Sequence, residues 1–198
     1  EPENKLDWVS INPEYLMSIY DRMVTESGAK VLFFSRLAAV EMSSDDTIDA
    51  IIVSNKAGLV AFKGKVYIDT TGDGDLAAWS GASFKRGYDE EGSIQMSSLC
   101  FSFANIDSYD YINGPTLYVW KDESTPLYKA VRSGKYPLVD THFCNNLVGP
   151  DVIQCNAGHM TVDTTDPWAI SEAMILGRQK AAQYLSCQPS YVPHYIDG

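Results

Sequence analysis

Positive charge is scarce in this sequence, and long apolar runs are missing altogether. Fifteen lysines and arginines stand against 26 aspartates and glutamates, which gives a formal net charge of −11. Because the phosphates of nucleic acids repel an acidic protein, this balance argues against a nucleic-acid partner. No stretch reaches the roughly 18 consecutive apolar residues of a transmembrane helix. We therefore expect a soluble protein, cytoplasmic or periplasmic, without a membrane partner.

Cysteine is also scarce, and its spacing matches no metal-binding pattern. The four cysteines are far apart and form no C-x-x-C pair of the kind that zinc sites use. We therefore predict ordinary free thiols and no metal site. What the chain does contain is 45% hydrophobic residues, enough for a well-formed core.

The most distinctive pattern lies in residues 65–82. Residues 66–68 (Val-Tyr-Ile) are apolar and favour a buried strand. Residues 69–75 hold three aspartates and two glycines, which predicts a tight turn, and residues 76–79 resume an apolar, helix-compatible pattern. Because ligands bind at the carboxyl ends of strands in α/β sheets, this turn is the first candidate for a binding site.

The same stretch, VYIDTTGDGDLAA, resembles the strand-turn segment of FAD-dependent oxidoreductases with two dinucleotide-binding domains. It is closest to the bacterial branch that carries Ala-Thr-Gly-Asp-Gly-Asp here, with Thr70 in place of the usual alanine. In that family the Thr-Gly of the turn lies beside the flavin nucleotide. The resemblance therefore implies FAD as the cofactor and predicts cofactor contacts at Thr71, Gly72, Asp73, Gly74 and Asp75.

Two other interpretations of the turn stay open. Asp69 and Asp73 also fit a calcium loop of the EF-hand kind, although Thr71 and Ser80 would then replace usual ligands. Such a loop would suit a non-enzymatic, β-rich binding module for carbohydrate, with Trp120 and nearby tyrosines as its aromatic surface. The turn can also be purely structural.

The elements before this stretch support the flavoprotein resemblance. Asn12 and Pro13 predict the start of a helix that ends at Gly28. Three strands are predicted after it, at residues 30–42, 47–54 and 59–62, and their short connections predict an antiparallel meander. Helix, meander and Thr-Gly-Asp turn follow one another in the same order in the family. We therefore assign residues 1–84 to a partial FAD/NAD(P)-binding domain.

The remaining residues predict a second, substrate-type domain and a return helix. Residues 85–165 read as a mixed or antiparallel sheet, so that the whole chain belongs to the α+β or α/β class. Residues 166–198 read as a long helix and loop that lead back to the flavin domain in the resembled family. The predicted elements are strands at 97–104, 136–143 and 152–155, a helix at 125–132, loops at 105–123 and 145–151, and a helix from 167 to about 186 whose apolar face holds Trp168, Ala173, Ile175, Ala182 and Leu185.

The candidate catalytic residues lie in this second part. His159 follows the predicted strand at 152–155 in a glycine-bearing loop, and His142 lies in the predicted strand at 136–143. Both are candidates because a histidine ring exchanges protons near neutral pH. Asn156 and Arg178 are further candidates. The sequence assigns no catalytic residue beyond these weak candidates.

One motif of the resembled family is missing, the G-x-G-x-x-G that binds the FAD pyrophosphate. We therefore interpret the chain as an internal fragment of an FAD-dependent oxidoreductase acting on a small molecule. We expect it to be inactive alone and to bind free FAD weakly or not at all. An uncovered sheet edge predicts self-association, unless the helix over residues 12–28 covers the sheet.

Overall fold

The computed structural model describes residues 11–88, 92–114 and 122–191, and the chain divides into two compact units. Unit 1 consists of Glu1–Leu16 and Ile94–Gly198, and unit 2 consists of Met17–Ser93. Both units combine helices with a small antiparallel sheet, so the described chain is α+β. No helix in these residues is long and apolar enough to cross a membrane.

The first helix, α1 (Pro13–Glu26), begins and ends close to where the sequence predicts. Asn12 Oδ1 accepts hydrogen bonds from the backbone N–H groups of Glu14 (3.0 Å) and Tyr15 (3.4 Å), which confirms Asn12 as the N-cap. None of the side chains of α1 is buried. The expectation that this helix covers a sheet is therefore wrong, because its apolar side chains remain exposed.

Unit 2 contains the predicted meander. Strands β1 (Arg36–Ser44), β2 (Thr47–Asn55) and β3 (Gly58–Phe62) pair antiparallel in the order β1-β2-β3. The first strand begins later than predicted because Arg36 pairs with Ser54, next to the last residue of β2. Residues 30–35 extend past the end of β2 and so have no strand to pair with.

The predicted strand at residues 66–68 is wrong. These residues belong to neither sheet in the described chain, and the side chains of Val66 and Ile68 are 76% and 79% exposed. A strand needs a hydrogen-bonded neighbour, and β-propensity alone does not supply one. Instead, the Tyr67 hydroxyl accepts from Gly64 N (2.9 Å) and donates to the Asp49 carbonyl (2.8 Å), which fixes the segment beside β2. The predicted helix after the turn is present as α2 (Asp75–Trp79).

Unit 1 contains a second antiparallel sheet. Strands β4 (Phe101–Ala104), β5 (Phe143–Gly149) and β6 (Val152–Ala157) lie in the order β4-β6-β5. The helices that lie wholly within this unit in the described residues are α3 (Ser108–Asn113), α4 (Pro126–Arg132) and α5 (Pro167–Tyr191). The short helix α4 and the long helix α5 match the sequence prediction, whereas α3 lies in the predicted loop at 105–123.

The strand bounds in unit 1 differ from the prediction because pairing with β6 decides them. β5 starts at Phe143, which pairs with Ala157, and continues through most of the predicted loop at 145–151. The predicted strand at 136–143 is therefore wrong, and Tyr136 and Val139 instead pack into the core. The predicted strand at 97–104 is shortened to β4, and Ser97 forms only an isolated bridge to Met160.

Helix α5 covers the core with a different face from the predicted one. Among its residues up to Cys187, the buried ones are Gly177, Tyr184 and Cys187, which recur at helical spacing. A Cβ at Gly177 would lie 2.7 Å from Leu99 Cβ, so glycine permits the close contact here. The helix has apolar residues on all of its sides, so tertiary packing decides which side is buried. The predicted face is largely exposed, at Trp168, Ile175, Ala182 and Leu185.

Candidate functional site

The turn in unit 2 is organised by Asp69, a residue that the resemblance did not single out. Asp69 Oδ1 accepts hydrogen bonds from Thr71 N (2.9 Å) and Thr71 Oγ1 (2.7 Å), and Asp69 Oδ2 accepts from Ala77 N (2.9 Å) at the start of α2. The backbone bonds from Thr71 and Ala77, followed by the Thr71 hydroxyl, hold the pKa of Asp69 below its usual range. The Asp-x-Thr spacing of an Asx turn could have revealed this role.

Thr71 closes the turn from the inside. Its hydroxyl oxygen accepts from Gly74 N and from Asp75 N, both at 3.0 Å, while its hydrogen goes to Asp69. A hydroxyl has one hydrogen to donate and two lone pairs, so that of Thr71 is fully used within the turn. Thr71 therefore shapes the predicted cofactor-contact segment and has no hydrogen-bonding capacity left for a ligand.

The outer surface of the turn is open. A Cβ added at Gly72 or Gly74 would meet no atom within 4 Å, so a ligand can approach the backbone there. Within the described chain, the backbone N–H groups of Gly72 and Asp73 have no hydrogen-bond partner, and neither do the carboxylates of Asp73 and Asp75. The turn thus presents two donors and two acceptor groups to solvent.

A cleft of about 770 Å³ in unit 2 includes part of this turn. Asp69, Thr70 and Thr71 contribute to its lining, and most of the other lining side chains are apolar. An apolar cleft with a few polar groups is the usual form of a small-molecule site. The remaining lining residues are Lys30, Val31, Leu32, Ser35, Leu37, Ile51, Val53, Phe62, Ile68 and Leu76.

These groups fit one part of FAD and not another. Carboxylates and backbone N–H groups suit the hydroxyls of a ribityl chain or a ribose, and the apolar cleft suits a flat ring. The three aspartates of the turn have no basic residue among them between Val66 and Ala82. Because like charges repel, this segment does not fit the diphosphate of the cofactor. In the described residues, no three His, Cys, Asp or Glu side chains converge as metal ligands would.

The two candidate histidines come together in unit 1. Their ring centroids lie 4.4 Å apart, and the planes are nearly perpendicular at 88°. The sheet explains this proximity, because Phe143 pairs with Ala157 at the shared end of β5 and β6. His142 precedes β5 and His159 follows β6, so antiparallel pairing brings them to the same end of the sheet.

Asp140 links both histidines to α5. Its Oδ1 accepts from His142 N (2.9 Å) and from the Tyr184 hydroxyl (3.0 Å), and its Oδ2 accepts from His159 N (2.9 Å). The backbone N–H of Asp140 donates to the same Tyr184 hydroxyl (3.1 Å). Sequence reasoning missed Asp140 and Tyr184, because the contacts that join Asp140 to His159 and to Tyr184 span 19 and 44 positions.

The two rings have different surroundings. His159 is 16% exposed, and its Nδ1 is buried without a hydrogen bond, 3.7 Å from Asp140 Oδ2. His142 Nε2 lies 3.2 Å from the sulfur of Cys144. Burial and the nearby His159 lower the pKa of His142, opposed by Asp140, whereas burial raises the pKa of the Cys144 thiol. The pair is therefore a neutral imidazole and a neutral thiol at pH 7, and the tautomer of His142 decides which of the two groups donates.

The two other candidates within the described residues lie on α5 and β6. Arg178 is exposed on α5, and Asn156 pairs with Cys144 across the strands. His194 and Trp120 lie outside the described residues. A cleft of about 410 Å³ is lined, within the described chain, by apolar, thiol and amide side chains: Ile11, Cys100, Cys144, Asn145, Asn146, Val148, Gln154, Cys155 and Asn156.

A comparison with known proteins identifies the family. Residues 1–197 match the family model described as FAD dependent oxidoreductase. No curated protein and no solved structure matches the chain. The match covers both units, and it agrees with the resemblance carried by the Thr-Thr-Gly-Asp-Gly-Asp turn. The chain therefore belongs to the FAD-dependent oxidoreductase family.

Proposed function

We propose that this chain serves the FAD-dependent oxidation or reduction of a small molecule, and that the turn at residues 69–75 contacts the hydroxyl-bearing part of FAD. Bound FAD supplies the redox chemistry by accepting or giving a hydride. The observation that supports the contact is the outer surface of the turn, where unpaired N–H groups and carboxylates lie on a segment that also lines an apolar cleft.

Each residue of the turn has its own task in this proposal. Asp69 and Thr71 hold the backbone in shape, and their hydrogen bonds are made before any ligand arrives. The N–H groups of Gly72 and Asp73 donate to cofactor oxygens, and the carboxylates of Asp73 and Asp75 accept from cofactor hydroxyls. Preformed groups bind with little ordering cost, which favours affinity.

For the substrate we propose a small, neutral, polar molecule. Among the residues that the structure describes, the lining of the unit 1 cleft has amide side chains and no Asp, Glu, Lys, Arg or His, so none of these side chains would balance a carboxylate or phosphate. Cys144 lines this cleft, and its sulfur lies 3.2 Å from His142 Nε2, so we place the reacting group of the substrate at the Cys144 end of the cleft. We assign acid–base work on the substrate to His142 and His159.

Chemical-shift mapping with the 198-residue chain tests the cofactor proposal. FAD is added to millimolar concentration, so that weak binding is detected, and the backbone amide signals of the wild type and two variants are compared. Thr71→Val removes the hydroxyl that closes the turn, and Thr70→Val is the matched control. We expect signals of residues 71–75 to shift in the wild type and in Thr70→Val, and to shift much less in Thr71→Val. If these signals stay in place in the wild type at millimolar FAD, the proposed contact is wrong.

A further inference from the structure

We propose that Asp140 is the positioning residue of a one-proton acid–base site formed by His142 and His159. The carboxylate reaches both histidines through separate oxygens, and Tyr184 holds it from α5. This inference depends on the proposed function in one respect, namely that the proton comes from a substrate hydroxyl. The site itself consists entirely of described residues of unit 1.

The backbone on both sides of the site brings the N–H groups of His142 and His159 to Asp140. Asp140 receives the N–H of His142 two residues ahead and the N–H of His159 from beyond the other strand. Gly158 has a φ of +70°, and a Cβ there would lie 3.3 Å from Lys180 Cβ on α5. The chain therefore turns closely under α5 immediately before His159, and both the left-handed backbone and the tight space favour glycine.

The geometry favours one proton on the pair rather than two. His159 Nδ1 lies 3.7 Å from Asp140 Oδ2. Protonating both rings at once would place two positive charges on rings whose centroids are 4.4 Å apart, beside a single carboxylate, so the site takes up one extra proton at a time. Tyr184 and Cys144 also contact the site, and Lys180, whose side chain lies beside Gly158, has its Nζ bonded to the Leu138 carbonyl (3.1 Å).

His142 is the member that can meet a substrate. It is half-buried, and its Nε2 lies beside Cys144, which lines the uncharged cleft. In the acid–base step, the O–H bond of a substrate hydroxyl breaks, its electron pair stays on oxygen, and the proton moves to His142 Nε2. The substrate hydroxyl would take the place of the Cys144 thiol beside His142 Nε2. Asp140 acts through the two histidines and does not touch the substrate.

Titration of the histidine rings by NMR tests this inference without any cofactor. The chain has three histidines, and the His142→Gln and His194→Gln variants assign the signals. In Asp140→Asn we expect the pKa of His142 to fall, because a favourable negative charge is lost. In His159→Gln we expect it to rise, because the competing ring is lost. Asp122→Asn is the matched control, since Asp122 makes the same turn to Ser124 N (2.9 Å) away from any histidine contact.

The outcomes separate clearly. Opposite movements of the His142 pKa in Asp140→Asn and His159→Gln, with no movement in Asp122→Asn, support the proposal. The same His142 titration in all four proteins would overturn it. If circular dichroism shows that Asp140→Asn is unfolded, the His159→Gln titration decides alone, because a pKa of His142 that does not rise contradicts the coupling. The titration contains no FAD, so a negative result for FAD binding at the turn does not affect it. A negative titration likewise does not affect the proposed FAD contact.

Discussion

Each unit contains a three-stranded antiparallel sheet, but the sheet of unit 1 packs against a larger core than that of unit 2. In unit 1, one face of the sheet packs into a core that includes Phe143, Ile153 and Tyr184, all at most 1% exposed. In unit 2, the buried apolar residues within the described chain are Ala50, Val53 and Leu76. The histidine site of unit 1 therefore depends on packing between distant residues. The aspartate turn of unit 2 depends on hydrogen bonds between close neighbours.

This difference predicts where substitutions act. A change in the core of unit 1 removes buried contacts and should lower the free energy of unfolding of the whole unit. A change in the turn of unit 2 should loosen a few residues and leave the rest intact. All four cysteines lie in unit 1, where Cys155 and Cys187 are buried and Cys100 is exposed. Reaction of the buried thiols therefore reports the opening of unit 1 alone.

The largest effect is expected for Tyr184→Ala. Tyr184 is fully buried and stacks on Phe143 with a centroid distance of 5.4 Å. Removing the ring should lower the free energy of unfolding by about 3–5 kcal/mol, as large-to-small core substitutions do. The control is Ile68→Ala in unit 2, which removes a 79% exposed side chain and should change stability by less than about 0.5 kcal/mol. Denaturant unfolding measures both variants, and labelling of Cys155 follows the opening of unit 1 in Tyr184→Ala. Equal losses of unfolding free energy in the two variants would contradict the comparison.

Tyr184→Phe should have an intermediate effect. The ring stays, but Asp140 loses the acceptor of its N–H and the hydroxyl that donates to Oδ1. An unsatisfied, part-buried polar group costs about 1–3 kcal/mol, so we expect a loss of this size in denaturant unfolding. A variant as stable as the wild type would show that this hydrogen-bond pair does not hold α5 to the histidine site.

Thr71→Val should act locally in unit 2. The N–H groups of Gly74 and Asp75 lose their shared acceptor, a loss of about 1 kcal/mol for a capping hydroxyl. We expect amide hydrogen exchange at Gly74 and Asp75 to become about fivefold faster. Thr70→Val should leave these rates unchanged. Faster exchange throughout unit 2 would mean that the turn supports more of the unit than the local bonds indicate.

The smallest effect is expected in the pH dependence of stability. Burial lowers the pKa of His142 in the folded chain below the unfolded value of about 6.5. The unfolded state then binds more protons than the folded state just below that pH, so the free energy of unfolding should decrease as the pH falls below about 6.5. Denaturant unfolding from pH 7.5 to 5 measures this slope. In His142→Gln the slope should become shallower, and an unchanged slope would assign the effect to other groups.

Local signals in the sequence predicted the parts of the fold that depend on neighbours along the chain. Asn12 caps α1, Pro126 starts α4, and the meander follows its short connections, because caps and tight turns involve residues within a few positions of each other. The turn at residues 69–75 was predicted for the same reason, together with the family to which it belongs.

Long-range partners were beyond the reach of local signals. Residues 66–68 have a strand-like composition, yet no described strand lies beside them, and β5 starts where β6 pairs with it. The buried face of α5 could not be predicted either, because the helix has apolar residues on all of its sides. Which of them are buried depends on how the helix packs against the core.

The sequence by itself thus determined the family, the acidic turn and most helix starts, since each depends on residues that are close together along the chain. Only the tertiary structure brought His142 next to His159 and placed Asp140 and Tyr184 around them. These contacts join residues up to 44 positions apart. Their formation depends on strand register and on the packing of α5, which no short stretch of the chain specifies.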